Sequence, residues 1–129
     1  MKEIKNALKS GNYLLAYTIL YNLGYEYSIE SIKRDFHDVD SINIFCFLIY
    51  LLSKENSINH VLLVCDFLTF SDTFFYDIYP VIHMILSQAL TAYDYNKELL
   101  EWIVCSYDGH PESPFSQEEI SAYKGMLSK

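Results

Sequence analysis

Short apolar runs, separated by glycine, proline and capping residues, follow one another along the chain, and their lengths and spacing predict eight helices. The first covers Lys2 to Lys9 and stops at Ser10-Gly11. The second covers Asn12 to Leu23, where Gly24 suits the left-handed position after a helix end. Ser28 caps a third through His37, with Ile29, Ile32 and Phe36 on one face. Asp40-Ser41 opens a fourth through Leu52, whose apolar residues go all the way round, the pattern of a helix enclosed by neighbours. Its length and the serine at each end favour helix over strand. Ser57 caps a fifth from Ile58 to about Phe70, and Pro80, whose missing N–H needs no partner there, begins a sixth through Tyr93. Asn96 to Tyr107 makes the seventh. The eighth has the clearest start: Ser116 and Glu119 form a capping box, Phe115 and Ile120 occupy the hydrophobic-staple positions, and a rigid polar turn from Asp108 to Pro114 precedes them.

Helices joined by short loops pack as antiparallel neighbours, so the expected fold is all-α: a compact, solenoid-like stack of about four helical hairpins in a single domain, residues 1–129. A hairpin period of about 25 to 35 residues is the size of a tetratricopeptide or HEAT unit, but the hairpins share no consensus. With 51% hydrophobic residues, 12 Tyr and 8 Phe among 129, a disordered chain is excluded. Cys46, Cys65 and Cys105 are odd in number and sit among apolar neighbours, which reads as buried free thiols of a reducing compartment, without metal or redox spacing. Met1 to Lys9 lacks the apolar core of a signal peptide, and the longest greasy run, Ile42 to Leu52, falls well short of the ~20 residues that span a bilayer. A soluble, cytoplasmic protein is expected.

Charge changes the picture more than composition does. The net charge is −8, with six basic and seven acidic residues in 1–64 but three basic and ten acidic in 65–129. From Glu55 to Tyr123 there are eleven carboxylates and one cation, Lys97. Helix-dipole placement accounts for Glu118 and Glu119. Such a field repels phosphate and anionic headgroups, which excludes nucleic acid and membrane as partners, and it attracts a basic protein surface. Tyr76, Tyr79, Tyr93, Tyr95, Trp102 and Tyr107 are interleaved with these acids, a composition suited to protein binding. The candidate binding face is Asp72, Tyr76, Asp77, Asp94, Tyr95, Glu98, Glu101, Asp108 and Glu112.

Other constellations carry less. Tyr13, Tyr17 and Tyr21 recur one turn apart on the second helix and read as a core-boundary seam, with Leu15, Ala16, Ile19, Leu20 and Leu23 on the core side. The same ladder would be the surface of a helical adaptor that holds a peptide, the alternative to the acidic binding face. His83, Ser87 and Thr91 form a polar stripe, expected to face solvent; an acid–base site there needs a carboxylate or a second His from elsewhere. His37-Asp38-x-Asp40 lacks the preceding His of a metal phosphohydrolase. No Gly-rich phosphate loop, nucleophile elbow or His-Glu-x-x-His helix is present, so neither an enzyme, a metal nor a cofactor is expected.

The run Glu98-Leu99-Leu100-Glu101-Trp102-Ile103, continued from Tyr107 through the acidic proline turn to Ser116-Gln117-Glu118-Glu119, resembles the small immunity proteins encoded beside bacterial polymorphic toxins, including contact-dependent growth-inhibition systems. The resemblance covers the size, charge and helical plan of the whole chain and the residues of its last third. It implies a cytoplasmic antitoxin that binds one cognate basic toxin domain, commonly a nuclease, and covers its active site or substrate groove. These families share no catalytic motif, so the resemblance assigns no residue a role by position.

Overall fold

The computed structural model describes residues 1–70 and 77–129. Among them are eight helices and no strand: α1 (Lys2–Lys9), α2 (Tyr13–Asn22), α3 (Ile29–Asp35), α4 (Ser41–Lys54), α5 (Ile58–Phe70), α6 (Tyr79–Ala92), α7 (Lys97–Tyr107) and α8 (Gln117–Leu127). Two compact units divide the chain, Met1–Phe74 and Phe75–Lys129.

In the first unit α1 and α2 form one hairpin and α4 and α5 another, while α4 also meets α1 and α2, and α3 rests on α5. Leu8, Leu20, Leu48 and Leu51 are completely buried between them. Both ends of the α1–α2 hairpin are closed in the same way. The N–H groups of Gly11 and Asn12 return to Leu8 and Ala7 after α1, and those of Gly24 and Tyr25 return to Tyr21 and Leu20 after α2. This closure needs a positive φ at its first residue, met by Gly11 at 78° and Gly24 at 66°.

Three expectations fail in this unit. The residues Leu15 and Leu23 do not join the core: they are 38% and 68% exposed, because successive residues turn about 100° round a helix and the buried arc of α2 holds only Ala16 and Leu20. Helix α4 is not enclosed all round, since Ile42 and Ile49, two turns apart, are 44% and 37% exposed. Helix α3 stops at Asp35, and Phe36 leaves helical geometry at φ −123° so that its ring enters the core.

In the second unit α7 packs on α6 and pairs with α8. Ile82, Leu86, Leu99 and Ile103 have no exposed surface. Tyr79 precedes Pro80 as the first residue of α6. Asn96 caps α7 by accepting the Glu98 N–H at 2.8 Å. At α8 the capping box is complete: Ser116 Oγ accepts the Glu119 N–H at 3.1 Å, and Glu119 Oε1 accepts the Ser116 N–H at 3.0 Å. Phe115 and Ile120 are both buried beside it.

Candidate protein-binding face

Helix α7 sets the geometry of the acidic surface. Its buried side consists of Leu99, Leu100, Ile103 and Tyr107, so the opposite side must present Lys97, Glu98, Glu101 and Cys105, all exposed. Asp108, exposed, continues that side at the helix end, and half-buried Trp102 borders it with its ring edge-on to Tyr107 at 5.9 Å. Cys105 is therefore not a buried thiol as its apolar neighbours suggested. Ile103 and Val104 precede it in sequence, but helical spacing aligns it with Glu98 and Glu101; of the three cysteines only Cys65 is buried, and Cys46 is half-buried.

Local cations touch two of these acids. Lys97 Nζ lies 3.7 Å from Glu101 Oε1, with both side chains mostly in solvent, and Lys124 reaches Asp108 at 2.5 Å. Exposed pairs of this kind contribute little and exchange readily for an incoming cation. Among the described residues Asp77, Asp94, Glu98 and Glu118 have no ion pair. Glu112 accepts the Tyr79 hydroxyl at 3.3 Å; burial first, then this carboxylate, raises the tyrosine pKa.

The turn between α6 and α7 is the strained part of the surface. After α6, the N–H of Tyr95 returns to Leu90 at 2.7 Å and that of Asp94 to Thr91 at 3.4 Å, the same closure that Gly11 and Gly24 make elsewhere. Here Asp94 (φ 52°) and Tyr95 (φ 53°) occupy the left-handed region. Aspartate tolerates it at some cost, and tyrosine has no local compensation. Asp94 is exposed, while Tyr95, 45% exposed, borders a pocket with Leu100, Met126 and Leu127.

The expected face thus falls along one helix length, about 16 Å for 11 residues, instead of converging on a point. Asp94, Tyr95 and Glu98 lie at its start, Glu101 on its outward side, and Asp108 and Glu112 beyond its end. Asp77 is exposed two residues before α6 begins. Asp72 and Tyr76 lie outside the described residues. Beside Asp108, a polar cavity of about 530 Å³ opens between the 108–115 segment and α8, with His110, Ser113, Gln117 and Lys124 in its wall.

The His83 stripe is not simply solvent-facing. His83 is half-buried, its Nε2 3.1 Å from Glu119 Oε2, its ring 4.9 Å from that of Phe115, and Ser87 Oγ 3.4 Å from its Nδ1. The carboxylate that an acid–base site would require does arrive, from α8, but it is also the capping residue of that helix. Partial burial pushes the Glu119 carboxyl up, yet the Ser116 N–H and His83 outweigh it and hold the group below its ordinary range. Both ring nitrogens of His83 have partners, and Ser87 stands in the middle of α6 with its hydroxyl at the long end of hydrogen bonding. The arrangement fastens α8 to α6. Among the described residues no three His, Cys, Asp or Glu side chains group as metal ligands, and no helix is long and apolar enough to cross a membrane.

Comparison with family models, curated proteins and solved structures finds no match to this chain.

Proposed function

We propose that this chain is an immunity-type binding protein whose second unit engages a basic protein, a toxin nuclease domain, and covers its substrate groove. The observation that carries the reading is the outward side of α7. Glu98 and Glu101 stand on it, Asp94 precedes it on a strained turn, Asp108 and Glu112 follow, and Lys97 and Lys124 are the cations paired with these acids among the described residues. The unit Phe75–Lys129 holds eight Asp and Glu against three Lys, so its field is largely uncompensated. A nuclease must be basic to hold a polyanion; an acidic inhibitor gains rapid encounter by steering, and affinity from a few aromatic anchors such as Tyr95 and Trp102.

The experiment is co-expression of the chain with the variable C-terminal domain of a large secreted protein encoded just upstream of it. Growth should be restored by the wild-type chain and lost again when Asp94, Glu98 and Glu101 are all changed to Lys. Growth arrest that persists with the wild-type chain present contradicts the reading.

A further inference from the structure

The unit Met1–Phe74 carries a second surface that the acidic face does not involve. Tyr17 and Tyr21 of α2 stand with ring centres 5.8 Å apart, and Tyr50 of α4 meets Tyr17 edge-on at 6.2 Å. Tyr21 is 64% exposed, so the cluster opens to solvent. A carboxylate closes its inner end: the Tyr17 hydroxyl donates to Glu55 Oε1 at 3.1 Å. The Glu55 side chain remains 40% exposed, and among the described residues no lysine or arginine pairs with it.

Beneath Glu55 lie two buried polar atoms without a hydrogen bond, Tyr27 Oη and His60 Nε2. His60 Nε2 is 3.4 Å from Glu55 Oε2, close but not aligned as a hydrogen bond, while its Nδ1 is engaged by Ser57 Oγ at 2.7 Å. Burial, with Glu55 next, raises the Tyr27 hydroxyl pKa, so the phenol stays neutral. The molecule's own cation shows that the rings are receptive: Lys54 Nζ sits 5.4 Å from the centre of the Tyr50 ring.

We infer that Tyr17, Tyr21, Tyr50 and Glu55 form a binding site for an arginine side chain of a partner protein. Guanidinium suits it better than ammonium. Its plane stacks on a tyrosine face, its fork matches a carboxylate, and it is the more weakly hydrated ion. Lys54 is the resident competitor for the Tyr50 face. The site uses none of the residues of the acidic face in the other unit, so each can fail without the other.

The test is an NMR titration of the full chain with three capped tripeptides, Gly-Arg-Gly, Gly-Lys-Gly and Gly-Gln-Gly, read at the ring protons of Tyr21 and Tyr50. The arginine peptide should give a saturable shift, the lysine peptide weaker binding, and the glutamine peptide none. Tyr21→Leu, at an exposed position that leaves folding intact, and Glu55→Gln should each weaken arginine binding about three-fold or more, while Lys54→Met should strengthen it about two-fold by freeing the Tyr50 face. A merely structural tyrosine cluster would not respond to Lys54→Met. Absence of a saturable shift, equal shifts from the glutamine peptide, or arginine binding indifferent to both Tyr21→Leu and Lys54→Met overturns the assignment.

Discussion

Replacing Asp94 by glycine should stabilise this protein while weakening its binding to the basic partner proposed above. The turn after α6 repeats the closure made by Gly11 and Gly24, but with Asp94 at φ 52°. Holding a non-glycine residue there costs about 1 kcal/mol, less for Asp than for a bulkier side chain. Glycine's greater freedom in the unfolded chain takes back about 0.5 kcal/mol of the relief. Asp94 makes no ion pair among the described residues, so no contact is sacrificed, and the net gain is about 0.5 kcal/mol, or roughly 2 °C in Tm. The control is Gly24→Asp, in the same motif: an added Cβ there meets nothing within 4 Å, so the loss, about 0.5 kcal/mol, comes from the backbone alone. Urea and thermal melts followed by circular dichroism measure both. A loss of stability in Asp94→Gly would refute the argument, because it would mean that the carboxylate supports the turn instead of straining it.

Three further outcomes are expected. Glu119 binds its proton less readily folded than its ordinary value of 4.5 implies, so the unfolded state takes up protons first as pH falls; its stabilisation is present above that value and lost through the lower, folded one. Glu119→Gln keeps an acceptor for the Ser116 N–H but removes this increment, so urea midpoints of mutant and wild type should approach each other in acid and separate towards neutral pH. Leu48→Ala or Leu99→Ala, each at a fully buried position, should cost about 2–5 kcal/mol, whereas Leu14→Ala, 60% exposed, should change stability by no more than about 0.5 kcal/mol in denaturant melts. Cys105 should react with a maleimide in the native protein, while Cys65, buried and with its thiol pKa pushed up by that burial, should react only after denaturation, as mass spectrometry of the labelled peptides would show.

The helices were legible because their signals are local. Ser28, Ser57, Asn96 and Ser116 accept backbone N–H groups within three residues, and Gly24 sits where only the backbone's own geometry matters. What the helices bury was less so. On α2, apolar residues surround the axis, and only the placement of α1 and α4 decides that Ala16 and Leu20 face inward while Leu14, Leu15 and Leu23 do not. The candidate face was legible as charge but not as geometry. Local composition concealed the exposure of Cys105, and the pairing of Asp108 with Lys124 joins residues that no short-range pattern relates. Asp94 gave no glycine signal, although aspartate's tolerance of the left-handed region is the one hint a sequence could carry. The meeting of Glu55 with Tyr17 and of His83 with Glu119 depends on tertiary packing between residues 38 and 36 positions apart.

The most direct measurement is the association rate with the basic toxin domain proposed above as the partner, for the wild type and for the Asp94→Lys, Glu98→Lys, Glu101→Lys triple variant, across a range of salt concentrations. Steering by the α7 side predicts that the wild-type rate falls steeply as salt rises, and that the variant associates about ten-fold or more slowly at low salt with a flattened dependence. Equal rates and equal salt slopes for the two proteins would contradict it.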